Sequence, residues 1–416
     1  MIEHGDRDPG RYGRMSLRFT IVQYAGDYRE AFERLSAGGK ETYYAQRHSV
    51  DFVGSLARRL EQVAVICAVS DTAYDAVLAN GVRAVGAGLR PGFDPAALLP
   101  FVARTEPNRL SINSPLAPVL RWARRNRIRT IVPLADSFNA GGLRAAIRHR
   151  LLARQLNDPL IEWVGNHGIS ACLSLAGIGV RADKIVPWDW PPAHRPTDYP
   201  SRNLTGDGPR KVFYVGSLSQ AKGVGDLLAA TARLRGQGYP VSLTLAGRDA
   251  DGSMAARARA LAIEDAVTFL GVVANEDVPQ LMREADLVVI PSRHEYPEGL
   301  PLTIYEALSA RTPIVASDHP MFRNALTDGE SAVIFRAGDV NQLAAAIVKV
   351  LDDPALYQAL SASSEDAWNR IQLPVTMGAF VAAWLEDTVP ARQWLSSHSL
   401  NSGRYGAAIE KAVPRS

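Results

Sequence analysis

Along the chain, short β-branched apolar runs alternate with longer stretches of helical character. Phe19–Tyr24, Val63–Val69, Val82–Val85 and Arg129–Leu134 read as strands, because runs of this length and composition suit buried pleated positions. Tyr28–Leu35, Tyr43–Leu60 and Pro115–Arg127 read as the helices between them. Ile161–Gly165, helix Ile169–Ala176 and Lys184–Pro187 close this first series. Residues 190–209, rich in Pro, Gly and polar side chains, mark a linker. A second alternation follows, with strands at Lys211–Val215, Val241–Ala246, Ala266–Leu270, Ala285–Ile290 and Ile314–Ala316. Helices Val224–Leu234 and Val340–Leu351 belong to it, and Thr376–Leu385 is a last helical region. This alternation predicts an α/β chain with two Rossmann-like, doubly wound parallel-sheet domains. The expected divisions are a polar tail at 1–15, a first domain at 16–200 and a second at 208–372. A helix at 373–390 that crosses back to the first domain and a tail at 391–416 complete the chain.

The chemistry concentrates in Pro291–Asp318, where one short helix lies between two strands. Pro301 suits the first helical position, where its missing N–H costs nothing, and Pro313 forbids extension. The loop Glu298-Gly299-Leu300 therefore delivers the chain to a helix N-terminus, where unpaired amides and the dipole hold an anion. A glycine there lets a ligand approach the backbone. Glu298 at the loop mouth and Glu306 inside the helix suit a ligand with hydroxyls on both sides of a diphosphate, which is a nucleotide sugar. A solvated pair of helical glutamates has the same spacing.

A second turn joins this one. Gly216-Ser217-Leu218 through Lys222-Gly223 follows a strand and precedes a helix, placing a compact cation over another helix N-terminus. Gly247 and Gly271 each close an apolar strand. In open α/β sheets ligands bind beyond the carboxyl ends of strands, where such turns collect. Earlier, Gly38-Gly39-Lys40-Glu41 ahead of the Tyr43 helix makes a further candidate helix-terminus site, with a plain tight turn as the alternative. Gly86-Ala-Gly88-Leu-Arg-Pro-Gly92 has the wrong spacing for a dinucleotide fingerprint and reads as a loop.

Composition then narrows the classes. The 416 residues are 47% hydrophobic and 21% charged, and the net charge of +3 shows no nucleic-acid footprint. Cys67 and Cys172 sit in apolar or small-residue stretches and read as core thiols of a reducing compartment. Neither a signal peptide nor a membrane-spanning run is expected, which makes the cytoplasm the default. Arg121, Arg124, Arg125, Arg127 and Arg129 cluster, while Arg144, Arg148, Arg150 and Arg154 share a helix with Leu143, Ile147 and Leu151. That basic helix suits either an anionic membrane surface or plain solvation.

These motifs resemble glycosyltransferase family 4, the group 1 transferases that retain anomeric configuration on the GT-B fold of two Rossmann-like domains facing a central cleft. Gly216-Ser-Leu-x-x-x-Lys222-Gly223 is similar to the family's Gly-Arg-Leu-x-x-x-Lys-Gly turn, and Glu298-x7-Glu306 matches its paired-glutamate signature behind Pro291-Ser292. The likeness is strong over roughly 210–355 and weaker over 17–190. It implies that Gly216, Ser217 and Lys222 with the Gly299–Leu300 amides hold the diphosphate. It further implies that Glu298 holds the transferred sugar and Glu306 the ribose, with Thr303 on the same helix, and that Gly271 and Val272 border the base. Gly38, Gly39, Lys40 and Glu41 then face the acceptor.

Three positions depart from the pattern. Ser217 replaces the turn's arginine, His319-Pro320 stands where many relatives carry Gly-Gly, and Asp136 is the nearest counterpart of a histidine beside the donor sugar. An N-cap or turn role explains Asp136 equally well. Asp249-Ala-Asp251 reads as a loop and not as a metal site, so the expectation is a metal-independent hexosyltransferase with no cofactor. The implied partners are a nucleoside-diphosphate sugar, a glycan, lipid-linked or small-molecule acceptor in cell-surface glycan synthesis, and a peripheral membrane contact. A phosphorylase, an epimerase or a non-catalytic nucleotide-sugar binder remains as the alternative.

Overall fold

The computed structural model describes residues 15–24, 26–138, 141–206 and 208–412. Most of the expected N-terminal tail, Asn139 beside Phe138, and residues 413–416 of the expected C-terminal tail lie outside them. Eight strands form the first sheet: β1 Met15–Gln23, β2 Leu60–Val69, β3 Ala73–Val77, β4 Arg83–Leu89, β5 Arg109–Ile112, β6 Arg129–Leu134, β7 Ile161–His167 and β8 Ile185–Trp188. Their order is β3-β4-β2-β1-β5-β6-β7-β8. Six form the second: β9 Arg210–Val215, β10 Val241–Ala246, β11 Val267–Gly271, β12 Leu287–Ile290, β13 Ile314–Ser317 and β14 Val333–Phe335. These run β11-β10-β9-β12-β13-β14, all recorded pairs being parallel. The expected α/β class with two parallel-sheet domains is what the chain adopts.

Two compact units divide the described chain. Among the described residues, one comprises those within 15–37, 47–133 and 158–162, the other those within 38–46, 134–157 and 163–412. In the first, β2, β1 and β5 carry Val63, Ile66, Phe19 and Ile112 into the core. In the second, Val212, Leu243, Leu287 and Val315 do the same from the six-stranded sheet, beneath Leu227, Leu343 and Ile347 of its helices. The strands that read as continuous apolar runs are those buried on both faces.

Several expectations need correction. The Gly86-Ala-Gly88 stretch is not a loop; it lies in β4 and pairs antiparallel with β3, a strand whose alternating exposure hides it in the sequence. A Cβ on Gly86 would meet the Tyr74 ring at 2.2 Å, so the glycine is there for packing. The helix expected at Tyr43–Leu60 spans only Gln46–Ala57, and Leu60 begins β2. Gly38-Gly39 is consequently not at a helix N-terminus. Pro301 is the N-cap of helix Leu302–Ser309, one residue earlier than expected. The stretch expected as a tail carries helices Val389–Ser397 and Gly406–Ala412, anchored where Leu400 N–H donates to Ile185 C=O at 2.7 Å. Two of the clustered arginines are neutralised locally, Arg124 by Asp158 and Arg129 by Glu162.

Candidate functional site

Strand order in the six-stranded sheet reverses between β9 and β12, and ligands of such sheets bind at that switch point beyond the strand ends. The turn Gly216–Gly223 leaves β9 there, and the loop Pro291–Pro301 leaves β12. Gly223 has φ +74°, and a Cβ on it would lie 2.0 Å from Pro291 C=O, so only glycine lets the turn and loop pack. Arg293 N–H donates to Ala221 C=O at 3.0 Å and fastens them together.

That packing brings Lys222 to Glu298, Nζ to Oε1 at 2.5 Å. Ser292 Oγ donates to the same oxygen at 2.8 Å, and Lys222 Nζ sits 4.3 Å from the centroid of Tyr296. His319 is buried and fixes this loop: its Nε2 meets Tyr296 C=O at 3.1 Å, and Met321 N–H donates to its Nδ1. Helix Leu302–Ser309 has no side-chain cap; Ile304 N–H donates to Pro301 C=O at 3.0 Å, and the amides of Leu302 and Thr303 at the helix start suit an anion. Thr303 turns its hydroxyl to Val215 C=O at 3.4 Å.

Glu306 is buried one layer down, and Asn275 Nδ2 donates to its Oε1 at 2.6 Å. Burial pushes this carboxyl up to about 7, against the lowering effect of Asn275. Asn275 N–H also donates to Glu41 C=O at 2.9 Å, so one residue ties the Gly38–Glu41 loop to Glu306. Lys40 forms ion pairs with Glu276 at 2.7 Å and Asp277 at 3.4 Å. Gly271 (φ +68°) ends β11 in the same sheet, and the exposed Val272 follows it. Ser217 is exposed, and its carbonyl accepts from Tyr214 O–H at 2.8 Å. Arg293 does not replace the missing turn arginine, because its guanidinium grips Asp226 through two bonds of 2.8 Å.

Asp136 is not an N-cap, since the next helix begins at Leu143. Its loop is pinned by Asn166, which accepts from Asp136 N–H at 3.2 Å and donates to Asp136 C=O at 2.9 Å. Burial raises its carboxyl to about 6. Gly299 brings this loop into the site, because a Cβ there would lie 3.1 Å from Ala135 C=O and 3.7 Å from His167 Nδ1. His167 is a residue that sequence reasoning missed. Its Nε2 donates to Asp189 Oδ1 at 2.9 Å, Tyr305 O–H donates to Asp189 Oδ2 at 2.6 Å, and Trp190 N–H donates to Oδ1 at 2.8 Å. The Asp189 carboxylate thereby orients the ring and leaves His167 Nδ1 on the Gly299 side. Only the adjacency of Tyr305 to Glu306 hinted at this network.

Asp249 and Asp251 accept from the backbone N–H groups of Ala255 and Ser253, at 2.9 and 3.0 Å, and so cap helix Ser253–Ala260. Among the described residues no group of three His, Cys, Asp or Glu side chains is arranged to hold a metal.

A lysine, two carboxylates and an uncapped helix start at one switch point match a known pattern. Residues 197–366 match the family model described as glycosyl transferases group 1. This stretch is similar to group 1 glycosyl transferases. Over 204 residues the chain is 35% identical to a glycogen synthase of Mycobacterium tuberculosis, covering 49% of this chain and 45% of that protein. It is 29% identical to an alpha-D-kanosaminyltransferase of Streptomyces kanamyceticus over 41% of this chain and 42% of that one. The chain thus spans less than half the length of these curated relatives. A longer, weaker match, 26% identical over 374 residues, joins it to a D-inositol 3-phosphate glycosyltransferase of Rhodococcus erythropolis, at 79% and 82% coverage. The fold is shared with Anabaena HepE, solved with UDP and glucose, at TM-score 0.64, 19% identity, and 89% and 100% coverage. It is likewise shared with a sucrose-phosphate synthase of Thermosynechococcus elongatus at TM-score 0.63, 18% identity, and 92% and 100% coverage.

Proposed function

We propose that the chain is a family 4 retaining glycosyltransferase that moves a hexose from a nucleoside-diphosphate sugar to an acceptor hydroxyl. The observation that carries this reading is the meeting of Lys222 and Glu298 across the β9–β12 switch point, beside the uncapped start of helix Leu302–Ser309. As the bond from the sugar's anomeric carbon to the diphosphate breaks, negative charge grows on the departing phosphate. Lys222 and the Gly299–Leu300 and first-turn amides are donors aimed at that charge, the kind of term that dominates such catalysis. The acceptor oxygen bonds the anomeric carbon on the face that the diphosphate leaves, and its proton passes to the leaving phosphate oxygen. Glu298 accepts hydroxyls of the transferred sugar, Glu306 those of the ribose, and Gly271 and Val272 border the base. Asp136 and His167 flank the sugar, and Gly38–Glu41 faces the acceptor. No step requires a metal or a cofactor.

HepE was solved with UDP and glucose, which supports a nucleoside-diphosphate sugar as donor here. The acceptor in this reading is a glycan, a lipid-linked sugar or a small molecule of cell-surface glycan synthesis. A lipid-linked acceptor would make this cytoplasmic enzyme a peripheral protein of the inner membrane face. Among the described residues no helix is long and apolar enough to cross a membrane.

Incubation with a panel of nucleoside-diphosphate sugars, without acceptor, tests the reading. Slow release of free sugar from one donor is the expected result. An isomerised donor identifies an epimerase, phosphate-dependent release a phosphorylase, and binding without turnover a non-catalytic binder; each of the three overturns the transferase reading.

A further inference from the structure

Helix Leu143–Leu156 packs inward with Ala145, Leu152, Ala153 and Leu156, and not with its largest early apolar residues. Leu143, Ile147 and Leu151 are 78, 52 and 53% exposed. At four-residue spacing they stand one above another as a ridge on the outer face. Helical geometry puts Arg144 and Arg148 along one flank and Arg150 and Arg154 along the other, and all four are exposed. No acidic residue occurs in the helix, and none of these arginines forms an ion pair within the described residues. Beside the ridge, Ile147, Leu151, Arg150 and Arg154 open with Ile178 onto a groove of about 490 Å³.

An apolar ridge between arginine rows is costly to leave in water and has few suitable covers. A second copy pairing through the same face would set arginines against arginines. A bilayer surface with anionic headgroups satisfies both features, taking apolar side chains to headgroup depth and pairing phosphates with guanidinium groups.

We propose that this face docks on an anionic lipid surface, with the Leu143–Ile147–Leu151 ridge entering the interface and Arg144, Arg148, Arg150 and Arg154 meeting headgroup phosphates. The inference deepens the peripheral-membrane part of the proposed function and does not depend on the sugar chemistry.

Flotation with phosphatidylcholine vesicles, with and without phosphatidylglycerol, tests it. Sugar release from a soluble donor, followed in parallel, keeps the two readings distinguishable. The wild type is expected to float only with phosphatidylglycerol vesicles and to be released by salt. Each Arg→Gln change should weaken binding roughly fivefold. The triple variant L143S/I147S/L151S should lose at least ~10-fold in vesicle affinity. Its circular dichroism and its donor hydrolysis should be unchanged, because the ridge lies outside the donor site. Absence of wild-type binding to phosphatidylglycerol vesicles overturns the proposal, as does undiminished binding by the triple variant. A wild-type dimer in solution that the triple variant abolishes also overturns it and assigns the face to a second copy.

Discussion

Lys222 Nζ lies 2.5 Å from Glu298 Oε1, and the two side chains are only 16 and 8% exposed. Two groups that the proposed function assigns to different parts of one donor, the diphosphate and the sugar, thus neutralise each other. In the proposed function, donor binding would replace one partner of each: phosphate oxygens for the lysine, sugar hydroxyls for the glutamate. Breaking a buried pair by deleting one member strands the other charge, typically at ~3–5 kcal/mol. Lys222→Ala should therefore cost stability as well as chemistry.

The first prediction concerns that lysine. With Ser217 in place of an arginine and Arg293 held by Asp226, few cations remain for the diphosphate. Lys222→Ala should lower turnover by at least ~100-fold, the order attached to one transition-state donor. Lys222→Met keeps the stem and separates the effects: denaturant melts report the lost pair, while turnover reports the lost donor. Near-normal turnover in either variant refutes the assignment, and Arg248 is then the cation to examine.

The pH dependence follows from Glu306. Its folded carboxyl titrates at about 7, above the ordinary 4.5, because burial penalises the charge. A raised carboxyl contributes stability that is fully present below the ordinary value and is lost as pH rises through the folded one. Stability of the ligand-free chain should accordingly fall between pH 4.5 and 7, with a slope of at most ~1.4 kcal/mol per pH unit from this group, then level off. Glu306→Gln should flatten that slope in urea titrations. Binding of a free nucleoside diphosphate should tighten from pH 6 to 8 in the wild type, since ribose hydroxyls need the carboxylate as acceptor. An affinity that is level with pH in the wild type removes Glu306 from the ribose site.

Much of the fold and the local shape of the site were legible because they depend on nearest neighbours in the chain. β-branched runs, Pro313 after a helix, and glycines at strand ends announce themselves over a few residues. The hairpin of β3 was not legible, because its exposed, alternating positions lack an apolar run. His167 was not legible either. Its role comes from Asp189 and Tyr305, residues separated along the chain and joined only by packing. The outward turn of Leu143, Ile147 and Leu151 was equally hidden, since helical spacing defines a face but not the direction it points.

Asp189 gives a separate test of that packed network. It accepts from His167, Tyr305 and Trp190, and each hydrogen bond to a charged group contributes on the order of 1.5–3 kcal/mol. Asp189→Asn should lower both the denaturation midpoint and turnover. His167→Gln, which leaves Asp189 its other two donors, should cost less stability and still reduce turnover. Unchanged turnover in His167→Gln makes the histidine purely structural.

Metal dependence is checked by dialysis against a chelator. Turnover should persist, because the proposed function gives the diphosphate to Lys222 and backbone amides, while Asp249 and Asp251 are engaged with the amides of helix Ser253–Ala260. Full loss, restored by manganese, reverses this prediction.

Whether Glu298 and Glu306 serve one donor in two places is decided by the kinetics of two isosteric variants. On the donor that the panel identifies, Glu298→Gln should depress kcat with little change in the binding of free nucleoside diphosphate. Glu306→Gln should instead raise KM and weaken that binding in proportion. Wild-type kinetics in both variants would remove both glutamates from the donor site and place that site elsewhere.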